Sequence, residues 1–294
     1  MLKNKKNILI TGATGFIGHA LTVKLLESGD NLFLISQDKK FKCPGATIFY
    51  GDLNDEKFCR KIVKNIDTVY YLASFKKNVA VHTNQPFDAL FGNVLPLLHF
   101  LEIAKISKIK TIIYTSSVLV GYASSQNIQT DGYVLGKYIN ELILKSFVAQ
   151  TKIDLKIVRL SAVYGPGNDF NLETANIIPF FIAKTNESKS DLVLRGKGER
   201  RLQFAYIDDI IDNLIAVSHS RQNFFVIGNN QAIEVKNLVS KIIKLMGKKL
   251  KIQMDPSQRD KPTKLDKFNN LIKPNTGLDA GLRKTVDYYL RHKK

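Results

Sequence analysis

Cysteine is scarce in this chain. Cys43 and Cys59 are the only two among 294 residues, too few for a disulfide framework, so a reducing cytoplasm is the expected location. Histidine is also sparse. His19, His82, His99, His219 and His292 are scattered, with no paired His or Cys spacing of the kind that holds a metal. No metal site is expected, and each histidine reads as structural or solvated. No apolar run approaches the length needed to cross a membrane. Lys3, Lys5 and Lys6 ahead of an apolar run imitate an export signal. The threonines and glycines of residues 11–18 interrupt that run, which reads as a first strand instead. Internal repeats and low-complexity tracts are absent. Acidic residues are few, 26 against 44 Lys and Arg, and the formal net charge is +18. Such a charge attracts nucleic acid, an anionic membrane or an anionic small substrate. The lysines are spread over 3–6, 39–42, 241–251 and 283–294, the pattern of a solvated surface. No module with interleaved stacking aromatics accompanies them. Nucleic acid and membrane are therefore not the expected partners, and an anionic small molecule is.

What the chain does have begins at Ile8. Ile8, Leu9 and Ile10 form a short apolar run suited to a strand buried on both faces. Gly12, Gly15 and Gly18 follow at three-residue intervals, and residues 19–26 carry an apolar helical stripe. A strand, a glycine turn and a helix in that order make a pyrophosphate site. Glycine lets the backbone close and approach the ligand, and the helix N-terminus offers free N–H groups and a positive dipole end. The expected ligand is a dinucleotide.

Further strands are expected at 31–35, 47–50, 68–72, 111–114 and 155–160, with helices at 54–65, 86–105 and 131–150. This alternation predicts an α/β fold, a Rossmann-type doubly wound parallel sheet. Ligands of such sheets lie beyond the C-terminal strand ends, where Gly12, Asp52, Ala73, Ser117 and Ala162 all fall. After residue 162 the elements shorten and Gly, Asn and Pro punctuate. We expect a dinucleotide-binding domain over 1–162 and a smaller C-terminal substrate-binding domain over 163–294, with part of 203–230 packing back on the sheet. Helices are expected at 177–185 and 234–246, and a strand at 224–227. Asp208 and Asp209 read as a helix N-cap.

At the end of the second strand stands Ser36, followed by Asp38, Lys39 and Lys40. An acid at that place holds the ribose 2′-OH of NAD and repels a 2′-phosphate. Serine does neither, so the cofactor NAD(P) leans weakly to NADP(H). Tyr133 and Lys137, four apart on a helix, share one face. A lysine ammonium there is expected to lower the phenol pKa toward neutrality. Ser117, at the end of the fifth strand, offers a hydroxyl to the same substrate oxygen. Ser, Tyr and Lys beside a dinucleotide turn suit hydride transfer at an alcohol or ketone carbon. Tyr289 and Lys293 repeat the spacing near the C-terminus, where a solvated surface pair is expected.

Several motifs together resemble the extended short-chain dehydrogenase/reductase family of NAD-dependent sugar-nucleotide epimerases, dehydratases and reductases, and the resemblance spans nearly the whole chain. TGATGFIG (11–18) is similar to its cofactor turn, which implies cofactor contacts for Gly12, Gly15, Phe16, Ile17 and Gly18. GDLND (51–55) is similar to the adenine-touching segment, implicating Asp52 and Leu53. YLASFK (71–76) resembles the fourth-strand end, with Leu72 and Ala73 on the cofactor and Lys76 on the pyrophosphate. FGNV (91–94) places Asn93 beside the substrate. YTSSVLVGY (114–122) and YVLGK (133–137) match the catalytic strand and the Tyr–Lys pair, and RLSAVYGPG (159–167) the run into the substrate domain. GKGERRLQFAYIDD (196–209) implies an arginine on the nucleotide phosphates, Arg200 or Arg201. NTGLDAGLRKTVDYY (275–289) is similar to the closing helix.

The resemblance implies a 4-epimerase or 4-keto reductase of a nucleotide-activated sugar. In it Ser117, Tyr133 and Lys137 are catalytic, and Tyr133 and Lys137 also touch the cofactor. Dehydratases of the family carry Thr-Asp-Glu where this chain has Ser117-Val118-Leu119, so 4,6-dehydration is not expected. The family often has Asn at position 162, and Ala162 leaves a non-sugar carbonyl substrate as an alternative. A scaffold or RNA-binding regulator without turnover is a second alternative. The family also implies a homodimer formed by the helices near 86–105 and 131–150. Leu97, Leu98, Phe100, Leu101, Leu142, Ile143 and Phe147 serve the core, the interface or both.

Overall fold

The computed structural model describes residues 5–62, 65–75, 79–122, 131–257 and 265–293. In chain order the first elements are β1 (Asn7–Thr11), α1 (Phe16–Leu26), β2 (Asn31–Ser36), β3 (Ala46–Tyr50), α2 (Glu56–Ile62) and β4 (Thr68–Tyr71). Next come α3 (Val79–Asn84), α4 (Pro86–Ala104), β5 (Thr111–Ser117), α5 (Gly132–Val148), β6 (Asp154–Leu160) and β7 (Ala162–Tyr164). They are followed by α6 (Ile177–Glu187), β8 (Asp191–Arg195), β9 (Arg201–Tyr206), α7 (Ile207–Val217) and β10 (Phe224–Ile227). The last are β11 (Ala232–Glu234), α8 (Val235–Leu245), β12 (Lys251–Asp255) and α9 (Leu278–His292). The chain divides into two compact units. The first is 1–160 with 211–225, and the second is 161–210 with 226–294.

The first unit is built on a seven-stranded sheet in the order β10-β6-β5-β4-β1-β2-β3. Neighbours from β3 through β6 pair in parallel. This is a Rossmann-type arrangement. The order reverses at β1, so β1 and β4 lie side by side and leave their C-terminal ends as a switch point. All four residues of β4 are buried, as expected for a strand covered on both faces. Leu9, Val69, Tyr71, Leu97, Phe100, Ile112 and Tyr114 belong to one core cluster.

At 19 residues and mean hydropathy 1.3, α4 is long and apolar enough to cross a membrane by length and composition. The expectation that no stretch approaches that length needs correction. Its apolarity serves packing: Ala89, Leu97, Phe100, Leu101, Ile103 and Ala104 are buried. The residues expected to serve both core and dimer separate into two faces. Leu97, Phe100, Leu101 and Phe147 are core, and Ile143 packs on that core. Leu98 and Leu142 are exposed.

The second unit holds a three-stranded sheet, β11-β9-β7, and a parallel pair, β12-β8. Leu192, Leu194, Val239 and Ile243 form a small core there. Asp208 and Asp209 lie in the first turn of α7 rather than ahead of it. The Asp209 carboxylate accepts from the backbone N–H of Asn275 and Thr276, at 3.0 and 3.3 Å. It caps the approach to α9, and the expected N-cap role is corrected accordingly.

Candidate active site

The turn after β1 is shaped by contacts that only glycine tolerates. Gly12 has φ +67°, and a Cβ there would lie 2.9 Å from the Ala73 backbone nitrogen. A Cβ on Gly18 would lie 2.1 Å from the Gly12 carbonyl oxygen. The chain therefore folds back on itself, and the Gly15 N–H donates to the Gly12 carbonyl at 3.0 Å. Gly15 is the N-cap of α1, with no side-chain cap and no acid in the first turn. Phe16 and Ile17 open the helix, so their N–H groups lack intrahelical partners and suit a phosphate. A glycine cradle at an uncapped, acid-free helix N-terminus fits the pyrophosphate of a dinucleotide.

Thr11 ties this turn to the neighbouring strand. Its hydroxyl accepts from the Leu72 and Ala73 N–H groups, both at 3.0 Å. The expected residues Leu72 and Ala73 are thereby held beside Gly12. At the β2 end, Ser36 is buried. Its hydroxyl accepts from the Asp38 N–H and donates to the Asp38 carbonyl, each at 3.0 Å, closing a turn. Asp52 accepts from the Asn54 N–H at 2.8 Å, and the Leu53 side chain is buried in the core. Lys76 lies outside the described residues.

Asp131 caps α5, its Oδ1 accepting from the N–H groups of Tyr133 and Val134 at 3.1 Å each. This cap sets where the Tyr–Lys face begins. Lys137 is buried and donates from Nζ to the Thr115 carbonyl at 2.8 Å. Its Nζ lies 4.9 Å from the Tyr114 ring centroid and 6.0 Å from that of Tyr133. Ser117 closes β5 two residues later, its hydroxyl accepting from the Leu119 N–H at 3.2 Å. The first unit alone thus carries the glycine turn, the β4 end, Ser117, Tyr133 and Lys137.

The expected lowering of the Tyr133 pKa is not what this structure has. Burial first, and the Asp131 charge second, push the phenol up to about 12. The Lys137 ammonium donates to the Thr115 carbonyl, and burial of the phenol disfavours its charged form. The reading of Asn93 as a substrate contact also needs correction. Its amide accepts from the Ser74 hydroxyl and the Phe75 N–H, and donates to the Phe75 and Ala89 carbonyls. It holds the loop after β4 in place. Arg200 and Arg201 both lie in the second unit, where Arg201 is exposed. The Arg200 Nε is buried without a hydrogen-bond partner.

Four features escaped the sequence reading. His82, buried on α3, stacks on Tyr133 with centroids 5.1 Å apart and planes 14° apart. A lone histidine after Val79-Ala80-Val81 gives no signal of that. Thr11 was hidden inside the glycine motif. Asn140 donates to the Tyr114 hydroxyl at 3.1 Å and to the Asn93 carbonyl at 3.0 Å. Glu141 sits one turn beyond Lys137 and is buried; the four-residue spacing from Tyr133 and Lys137 was its only sign. The second Tyr–Lys pair is packed in part: Tyr289 lies 4.9 Å from Phe170, ring to ring.

Comparison with known proteins agrees with this geometry. A family model described as the NAD dependent epimerase/dehydratase family matches residues 8–228. The UDP-glucuronic acid decarboxylase 1 of Xenopus tropicalis is 24% identical over 310 residues, covering 98% of this chain and 73% of that protein. Among solved structures, the UDP-glucose 4-epimerase of Thermotoga maritima, determined with UDP-glucose, superposes with TM-score 0.86 at 22% identity. It covers 98% of this chain and 100% of its own. The UDP-N-acetylglucosamine 4-epimerase of Methanobrevibacter ruminantium M1, in complex with UDP-N-acetylmuramic acid, gives TM-score 0.85 at 25% identity, covering 98% and 99%.

Proposed function

This chain belongs to the NAD dependent epimerase/dehydratase family, and on that footing we propose that it is a hydride-transfer enzyme of a nucleotide-activated sugar. It works at C4, as a 4-epimerase or a 4-keto reductase. The observation that carries this reading is the Lys137 ammonium held at the Thr115 carbonyl, 2.8 Å away, which sets the Tyr133–Lys137 helix against the end of β5 that carries Ser117. A bound nicotinamide supplies the hydride donor and acceptor. Every other role falls to the chain. Tyr133 moves the proton at the substrate oxygen, Ser117 hydrogen-bonds that oxygen, and Lys137 holds its ammonium behind the phenol. Val118 and Leu119 cannot move a proton, so elimination of water is outside the repertoire.

The nucleotide-phosphate role stays with Arg200 or Arg201: the Arg200 Nε is buried without a hydrogen-bond partner, and Arg201 is exposed. The finer coenzyme reading is a modest NADP(H) preference. Ser36 presents no acid at the β2 end, and Lys39, Lys40 and Lys42 stand exposed nearby. Ser36→Asp then shifts preference toward NAD(H). Tenfold tighter NAD(H) binding by the wild type, about 1.4 kcal/mol, contradicts it. We further propose a cytoplasmic homodimer that binds no membrane. Phe87 and Phe91 stack at 5.8 Å on α4 and are 70% and 50% exposed, with Leu98 and Leu142 also open. Such a patch on adjacent helices suits a second copy.

The experiment is a thermal-shift screen of sugar nucleotides with each coenzyme, followed by product analysis of each hit. Ligand at about a hundred times its Kd stabilises the native state by about 2.7 kcal/mol. Turnover of a sugar nucleotide at C4 supports the proposal. Turnover of a non-sugar carbonyl alone, or salt-dependent RNA binding without any turnover, overturns it.

A further inference from the structure

Helix α5 carries Tyr133, Lys137 and Glu141 at intervals of four, hence on one face. Glu141 is 1% exposed. Its Oε1 accepts from the Ser116 hydroxyl at 2.6 Å and from the Arg159 Nε at 2.8 Å. Its Oε2 accepts from the Arg159 Nη2 at 2.7 Å. Ser116 and Arg159 are partners across the β5–β6 ladder. One carboxylate therefore joins the helix bearing Tyr133 and Lys137 to two strands at once, at the residue before Ser117. The Arg159 guanidinium also lies over the Phe224 ring, 5.1 Å from its centroid.

As a stabilising device this arrangement is poor. Burying two charges costs about as much as their attraction returns, and apolar residues of similar volume often do as well. What a bidentate ion pair adds is direction: two parallel bonds fix orientation as well as separation. The pair also stands where direction matters. Tyr133 lies eight residues from Glu141, roughly 12 Å along the helix at about 1.5 Å per residue. A small tilt at the Glu141 end moves the phenol by a large part of an ångström, and a misplacement of about 1 Å costs on the order of a hundredfold in rate.

We propose that Glu141 is a positioning residue for the reaction. Through Ser116 and Arg159 it sets the rotation and height of α5 so that Tyr133 and Ser117 meet one substrate oxygen. This rests on the reading of Ser117, Tyr133 and Lys137 as the reacting set. Glu141→Gln alone leaves the Arg159 charge uncompensated and risks unfolding. The decisive variant therefore removes both charges, Glu141→Leu with Arg159→Met, and Arg159→Lys accompanies it to keep the charge but lose the fork. The expected result is a double variant that melts within a few degrees of wild type and binds coenzyme within threefold. Its KM should stay within threefold while kcat falls about ten- to a hundredfold, and Arg159→Lys should lie between. A folded double variant keeping more than a third of wild-type kcat overturns the proposal. So does parallel loss of coenzyme affinity, which marks general collapse of the site. Amide hydrogen exchange over 115–118 and 132–141 reads the same positioning without substrate. It should quicken in the double variant, and unchanged exchange overturns the proposal even if the wild type turns over no sugar nucleotide.

Discussion

Gly18→Ala sets two effects of opposite sign against each other. Gly18 is the third residue of α1, and in a helix Ala is favoured over Gly by about 1 kcal/mol. Propensity alone therefore makes the substitution stabilising. The added Cβ, however, would lie 2.1 Å from the Gly12 carbonyl oxygen, 2.8 Å from its carbon and 2.9 Å from the Ala13 Cα. A carbon–oxygen contact needs about 3.3 Å, so something must move by roughly 1.2 Å. All three neighbours are backbone, and no side chain can rotate away. Overpacking of this kind costs about 1–3 kcal/mol, occasionally more, and the rigid neighbours place it at the upper end. The net expectation is about 2 kcal/mol of destabilisation, a fall in Tm of roughly 4–8 °C at about 2–4 °C per kcal/mol. The Gly12 carbonyl belongs to the pyrophosphate cradle, so coenzyme affinity should drop at least tenfold, about 1.4 kcal/mol. Circular-dichroism melts without ligand and titration calorimetry with NAD(H) read the two quantities separately. Gly121→Ala is the companion, since among the described residues its Cβ would meet nothing closer than Arg159 at 3.7 Å, and it should leave Tm unchanged or raise it slightly. A Gly18→Ala protein that melts at or above wild type and binds coenzyme unchanged refutes the reasoning.

Tyr133→Phe should lower turnover by about 10² to 10⁴-fold with coenzyme affinity little changed, measured under conditions where hydride transfer limits the rate. Tyr289→Phe, with the same spacing to a lysine, should keep wild-type turnover, and equal losses in both would sink the assignment. His82→Ala should reduce kcat several-fold by freeing the phenol ring, while His82→Phe, which keeps a flat stacking partner, should restore most of it. An unaltered kcat in His82→Ala would show the stack to be incidental. Alkaline stability follows from the raised phenol pKa values of Tyr70 and Tyr133, each about 12 against about 10 unfolded. The folded state holds these protons more tightly. The stability they contribute is full below about pH 10 and is lost as pH rises toward 12. Urea midpoints between pH 9 and 11.5 should show this fall, shallower in Tyr133→Phe, and a flat profile would contradict it.

Local patterning determined a good deal by itself. The apolar run at 8–10, the glycines at 12, 15 and 18 and the alternation of strands and helices identify a parallel sheet with a dinucleotide turn. Each is a short-range consequence of backbone sterics and burial. The position of Ser117 at a strand end and the i, i+4 spacing of Tyr133 and Lys137 are of the same kind. The tertiary structure decided what depends on neighbours distant in sequence. Leu98 and Leu142 face outward while Leu97 and Phe147 face the core, because packing selects one face of each apolar helix. The Asn93 amide is engaged by Ser74, Phe75 and Ala89 rather than left for substrate. The Tyr133 pKa goes up because burial, with the Asp131 charge behind it, disfavours the phenolate. Glu141 stands four residues past Lys137, an ordinary helical spacing that by itself marks nothing. Only the β5–β6 register, which sets Ser116 opposite Arg159, turns it into a buried junction, because a carboxylate's role is fixed by the charges that folding brings to it.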